Sequence, residues 1–265
     1  MRIITFANHK GGVGKTTTVV NTADILSRWG KRILVVDMDP QGNSTLTLGR
    51  KDPFEHQYTI GHLLADKELS VADCAHSVNG NLDLIPSNLH AYSQLALLPP
   101  NSAKRIFGLR EKLEAVRGAD NGYDLVLVDC PPQIEGPLIT NAVAASDVYI
   151  LPVDGESLYA LQGTNHLIQA IEAIREDTNS DIRLLGVLVT MYNPRTTASR
   201  LVMDAVREFF GDALFQTVIR RNTTLNKANL SQQSIFDLDP ASFGCQDYQK
   251  FATEMLSRVE TGQKP

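Results

Sequence analysis

Eight consecutive residues, Lys10-Gly11-Gly12-Val13-Gly14-Lys15-Thr16-Thr17, combine three glycines with two lysines and two hydroxyls. Glycines let a backbone wrap a phosphate with its N–H groups, and a helix that starts where the loop ends adds the positive end of its dipole. In such a loop Lys15 reaches the β- and γ-phosphates of a nucleotide and the Thr16 hydroxyl supplies a ligand to Mg²⁺. The plain pattern GxxxxGK[ST] wants glycine where His9 stands, so this loop is a variant of it. The expected cofactors are ATP and Mg²⁺.

Two further stretches carry acids. Val35-Val36-Asp37-Met38-Asp39-Pro40-Gln41-Gly42-Asn43 ends an apolar run with carboxylates at i and i+2, which strand periodicity sends to one face, and Pro40 stops the strand. Tyr123-Asp124-Leu125-Val126-Leu127-Val128-Asp129-Cys130-Pro131-Pro132 is an apolar run ending in an acid, so that Asp129 would hold the Mg²⁺ shell through water. Phosphoryl transfer needs an in-line water and charge compensation more than covalent chemistry, so one carboxylate and two lysines suffice in principle.

The elements that must position these groups follow from hydrophobic patterning. Apolar runs at Ile3 to Ala7, Ile33 to Val36, Leu125 to Val128, Val148 to Val153 and Leu184 to Val189 lack in-and-out alternation, as suits strands covered on both faces of a parallel sheet. Between them Ile106, Leu109, Leu113 and Val116 recur at helical spacing, and Tyr248, Phe251, Met255 and Val259 mark a closing helix. Strands alternating with helices predict an α/β fold, a doubly wound and mostly parallel sheet flanked by helices, with ligands at the carboxyl ends of the strands. The absence of a repeat or a Pro/Gly-rich linker favours one domain over residues 1–265. The stretch from Arg50 to Ser70 reads as a surface insertion with one short helix at Thr59 to Ala65.

Composition narrows the function classes. Three cysteines, Cys74, Cys130 and Cys245, lie far apart with no CxxC, which argues against a zinc or iron–sulfur site and for a reduced cytoplasmic setting. Export and membrane spanning are not expected, because no stretch approaches the roughly 18 uninterrupted apolar residues a bilayer needs. A net charge of -5 argues against strong, constitutive DNA binding by the whole surface and calls for a local patch. Such a patch exists between Arg195 and Lys227, where Arg195, Arg200, Arg207, Arg220, Arg221 and Lys227 face only Asp204, Glu208 and Asp212 in the sequence.

The loop KGGxGKT[TS], the element DxDPQGN, the run Val187-Leu188-Val189-Thr190-Met191-Tyr192-Asn193 and the run Thr217-Val218-Ile219-Arg220-Arg221-Asn222 together resemble the ParA and Soj branch of the deviant Walker A ATPases, from Arg2 to about Val259. The resemblance implies that Lys10 crosses to a partner's nucleotide in an ATP sandwich homodimer, that Asp39 positions or activates the attacking water, and that Asp37 supports the Mg²⁺ side. It implies nucleotide contacts at Lys10 through Thr17 and at Asn193 and Asn222. It further implies a stripe for non-specific double-stranded DNA, here Arg195, Arg200, Arg220, Arg221 and Lys227, completed only in the dimer, and a ParB-like adaptor that stimulates a slow hydrolysis. The expected setting is cytoplasmic and nucleoid-associated. Family members usually carry Asp at Asn193, Gln at His9 and Pro at Arg220.

Other ATPases on this scaffold fit less well. A MinD-like membrane-surface enzyme would need a basic amphipathic C-terminus, whereas Lys250 to Pro265 carries Glu254 and Glu260 and no basic polar face. An iron–sulfur reductase would need paired cysteines, and a tyrosine autokinase a C-terminal tyrosine cluster, where only Tyr248 stands.

Overall fold

The computed structural model describes residues 1–99, 101–118, 122–157, 159–179 and 181–262, the side chains of 159–163 excepted. All five apolar runs form strands: β1 (Arg2–Phe6), β2 (Ile33–Asp37), β5 (Leu125–Asp129), β6 (Val148–Asp154) and β7 (Arg183–Thr190). A short pair that the runs did not announce, β3 (His76–Asn79) and β4 (Leu82–Ile85), extends the sheet at one edge. Among the described residues the sheet has seven strands in the order β3-β4-β2-β5-β1-β6-β7, parallel throughout except where β3 meets β4.

The helices are α1 (Lys15–Arg28), α2 (Asn43–Gly49), α3 (Ile60–Ala65), α4 (Val71–Cys74), α5 (Ala91–Ala96), α6 (Lys104–Glu114), α7 (Pro137–Ala145), α8 (Tyr159–Thr178), α9 (Thr197–Phe210), α10 (Thr223–Leu230), α11 (Ile235–Leu238) and α12 (Phe243–Thr261). They cover both faces. Along β2, Leu34 and Val36 join the core layer under α3, α6 and α7, whereas Ile33 and Val35 join the layer under α1 and α12. A strand buried on both faces has no polar side, which is why these runs read as continuous apolar sequence.

One expectation needs correction. The stretch 50–70 is not a surface insertion, because Ile60 and Leu63 are fully buried and Leu64 nearly so, packed with Leu95 and Leu109 in the core. Polar residues flanking a six-residue helix masked that apolar face. The closing helix docks as the patterning indicated, with Phe251, Ala252 and Met255 fully buried.

The strand order sets the site. β1 lies between β5 and β6, and β2 lies on the far side of β5, so the carboxyl ends of β1, β2 and β5 open onto one crevice. The loop after each of them carries one of the groups singled out above.

Candidate active site

The phosphate loop leaves β1 and turns into α1. Gly12 and Gly14 adopt left-handed φ values of +75° and +85°, which a side chain would strain. At Gly14 the backbone runs against Thr190 at the end of β7, 3.6 Å from where a Cβ would sit. Thr190 fixes the loop to the sheet, its hydroxyl being shared between the Val13 carbonyl at 2.8 Å and the Val153 carbonyl at 3.1 Å. Thr18 donates to the Gly14 carbonyl at 2.7 Å and closes the first turn of α1. Contacts within the chain thus shape the loop.

Both lysines are held. Lys15, only 6% exposed, donates to the Lys10 carbonyl at 3.1 Å. Burial lowers its pKa, and the neighbouring Asp129 and Asp39 carboxylates oppose that. The Lys10 ammonium lies 3.0 Å from Ser157 Oγ and 3.5 Å from Asp154 Oδ2, with its side chain 38% exposed. Gly11 and Gly12 beside it face solvent, and a Cβ at either would meet nothing within 4 Å. Thr17, one turn into the helix, accepts from Asn229 Nδ2 at 3.4 Å.

The carboxylates converge at the ends of β2 and β5, where Asp37 and Asp129 pair in register. Asp129 is fully buried; Ser44 donates to its Oδ2 at 2.7 Å, and Oδ1 has no partner among the described residues. Burial pushes Asp129 up to about 6, and the Ser44 hydrogen bond, the nearby Thr16 hydroxyl and the Lys15 charge pull the other way. A bare, buried carboxylate oxygen next to the Thr16 hydroxyl and the Lys15 ammonium fits a hard cation of the Mg²⁺ type bound directly or through water. Such a cation, when bound, would neutralise phosphate charge; Asp129, Thr16 and Ser44 would orient its shell.

Asp37 is also fully buried, but its oxygens are spoken for. Oδ1 accepts the Asp39 N–H at 3.0 Å, and Oδ2 accepts the Thr45 N–H at 2.8 Å and the Thr45 hydroxyl at 2.7 Å. Burial and then the neighbouring Asp129 push its pKa well up. Its geometry is that of a brace shaping the loop, rather than of a cation ligand. Asp39, 7% exposed, accepts the Gln41 N–H on Oδ1 at 2.9 Å; burial raises its pKa, while that bond and Lys15 lower it. A carboxylate whose pKa burial raises, set beside the phosphate loop, has the character of a general base or a water-orienting group.

Sequence reasoning passed over Ser44, Thr45 and Thr190. The first two open α2 directly after the DxDPQGN run, and hydroxyls at a helix start read as ordinary capping residues until the fold sets them against Asp129 and Asp37. Cys130 is a packed residue, fully buried, its thiol pushed well up by burial and then by Asp129.

The remaining site residues lie on the segments between β7 and the end of α10. Asn193 accepts the Arg195 N–H at 3.2 Å, and Asn222 caps α10 by accepting the Thr224 N–H at 2.8 Å. The segments they belong to are joined, Tyr192 N–H to the Ile219 carbonyl at 3.0 Å and Arg221 N–H to the Tyr192 carbonyl at 2.9 Å. Arg195, Arg200 and Lys227 are exposed. Arg221, 61% exposed, pairs with Glu156 at 2.5 Å. Arg220 is clamped on the buried Asp247 at 2.7 Å and lies over the Phe243 ring, 4.6 Å from its centroid.

A parallel sheet of this order with such a loop after its central strand defines a P-loop ATPase with a second lysine in the phosphate loop. A family model described as an AAA domain matches residues 1–184. The chromosome-partitioning ATPase Soj of Thermus thermophilus is 41% identical over 262 residues, 98% of this chain and 97% of that one. The sporulation initiation inhibitor protein Soj of Bacillus subtilis is 38% identical over 257 residues, 97% and 98% of the two chains. Among solved structures, cobyrinic acid a,c-diamide synthase from Mycobacterium smegmatis with bound ADP and magnesium superposes with a TM-score of 0.84 at 30% identity, covering 100% of this chain and 97% of that one. The chain belongs to the Soj/ParA family of ATPases.

Proposed function

We propose that this ATPase is a partition or positioning enzyme that pairs with a second copy of itself across two ATP molecules, binds double-stranded DNA without sequence preference as that dimer, and is released when a ParB-like adaptor stimulates hydrolysis. The observation that carries the reading is the rim of the phosphate loop. Lys10 stands half-exposed beside two solvent-facing glycines whose missing side chains leave room for a partner. Lys10 and Lys15 would compensate phosphate charge from two chains, Thr16 and Asp129 would hold Mg²⁺, and Asp39 would set the attacking water.

The curated relatives named as a chromosome-partitioning ATPase and a Soj protein match nearly the whole chain, which supports a single functional unit over residues 1–265; a cytoplasmic, nucleoid-associated setting belongs to the same proposal. Exposed Arg195, Arg200 and Lys227, with Arg221 beside them in the sequence patch, offer phosphate contacts that need no base readout. Dimerisation would double this patch and so switch affinity with ATP.

The test is fluorescence anisotropy of a labelled random-sequence duplex titrated with protein under ATP, ADP or no nucleotide at two salt concentrations. Binding that needs ATP and weakens with salt is the expected result. No binding in any state, with hydrolysis intact, would move the reading to a positioning ATPase that uses another surface.

A further inference from the structure

The Lys10 side chain is not waiting free for a partner; it is moored to its own chain, and the mooring is built at both ends. At its base, Asn8 bridges the loop to β6, accepting the Lys10 N–H on Oδ1 at 3.0 Å and donating through Nδ2 to the Pro152 carbonyl at 2.7 Å. At its tip, the ammonium meets Asp154 Oδ2 at 3.5 Å, at the end of β6, and Ser157 Oγ at 3.0 Å, from the turn that follows.

That turn is tied to β7. The Gly155 N–H donates to the Thr190 carbonyl at 2.8 Å, and the Glu156 N–H donates to Asp154 Oδ1 at 2.9 Å. A Cβ at Gly155 would lie 2.8 Å from Val189 Cγ1 and 2.9 Å from the Thr190 carbonyl oxygen, so the turn sits hard against β7. Thr190 also carries the phosphate loop through Val13. One residue of β7 therefore fixes both the loop that bears Lys10 and the turn that receives it.

We propose that Asp154 and Ser157 are positioning residues that berth Lys10 on its own chain and so set the threshold for ATP-driven pairing. The inference rests on the dimer reading given above, and goes beyond it by naming what pairing must first break. A lysine cannot sit on Asp154 and also reach across to a partner's phosphates, so the berthed and crossed positions exclude each other. The berth stabilises the unpaired chain, which keeps chance encounters from assembling an ATPase without nucleotide. A half-exposed contact of this kind shifts an equilibrium by about 1.5- to fivefold. A symmetric dimer must vacate two berths, so the factor enters squared, roughly two- to 25-fold on the dimer dissociation constant.

Sedimentation velocity on the full chain with saturating AMPPNP and Mg²⁺ measures that constant directly. Asp154→Asn keeps an acceptor for the Glu156 N–H but removes the charge facing Lys10, and Ser157→Ala removes only a hydroxyl. Both variants should dimerise about two- to 25-fold more tightly than wild type while melting within a few degrees of it without nucleotide. Equal or weaker dimerisation of both variants, with wild type dimerising normally, overturns the berth. A marked fall in melting temperature without tighter pairing also overturns it, because it would make the contact merely structural. Wild type that stays monomeric under AMPPNP would instead remove the dimer reading, and the berth with it.

Discussion

Asp37 and Asp129 stand opposite one another at the ends of β2 and β5, paired in register and equally buried, yet one is saturated and the other is half empty. Asp37 takes three hydrogen bonds from Asp39 and Thr45, whereas Asp129 takes one from Ser44 on Oδ2 and leaves Oδ1 bare. Two neighbouring acids that each end an apolar strand thus have different work: one shapes the loop bearing Asp39, the other faces the place where a cation would sit.

Substitution should separate them. Asp37→Asn turns an acceptor into a donor facing Thr45 and should cost about 1–3 kcal/mol of stability. Asp129→Asn should leave the fold largely intact and weaken the Mg²⁺ dependence of ATP binding. Thermal melting and Mg²⁺ titrations of nucleotide binding read the two effects, and an Asp37→Asn protein that melts like wild type would refute the bracing role.

Asp39→Ala should retain ATP binding and lose turnover by about a hundredfold or more, the usual scale for removing a positioned general base. Steady-state phosphate release at saturating ATP, together with a nucleotide-binding isotherm, checks this. Phosphate release at the wild-type rate would take Asp39 out of the catalytic step.

The two adjacent arginines should behave differently. Arg221→Ala removes an exposed charge from each copy of the dimer, and on the DNA-binding reading should weaken duplex binding about two- to tenfold and lower the salt slope by about two. Arg220→Ala strands the buried Asp247 and should cost about 1–2 kcal/mol of stability, discounted for the solvent-screened guanidinium. Anisotropy titrations and melting curves on both variants make the comparison, and equal stability losses would contradict it.

A buried histidine packed against a half-buried one predicts acid sensitivity. His56, 5% exposed, packs edge-on against His76 with ring centroids 4.5 Å apart, and neither of its nitrogens has a hydrogen-bond partner among the described residues. Burial, then Lys51 and His76, push His56 down to about 4, and burial with Lys51 also lowers His76. The neutral ring is favoured in the folded chain while the unfolded chain takes up a proton near the ordinary value of 6.5. The stabilisation is therefore present above about pH 6.5 and lost progressively as pH falls toward 4. His56→Leu should lose less melting temperature than wild type between pH 7 and pH 5, and parallel pH profiles for the two would exclude the histidine as the cause.

Much of the fold was legible because the informative strands are covered on both faces. Runs such as Ile33 to Val36 have no polar alternation to confuse them, and each forms a strand in the sheet. The edge pair β3 and β4 escaped notice because β3 alternates exposed and half-buried residues over only four positions, too short a pattern to stand out from a loop. The helix at 60–65 was legible as a helix but not as core, since its burial comes from α5 and α6, which are distant in sequence.

The sequence by itself determined the phosphate loop, the two lysines, the order of the acidic strand ends and the α/β class, because these depend on local residue types and on spacing that backbone geometry enforces. Tertiary structure alone decided which of two equivalent aspartates keeps a free oxygen, which of two adjacent arginines is clamped, and where Lys10 rests. Those outcomes depend on partners such as Ser44, Asp247, Asp154 and Ser157, brought in from other strands and helices, and a side chain's charge and availability are set by what the fold places within about 3 Å of it.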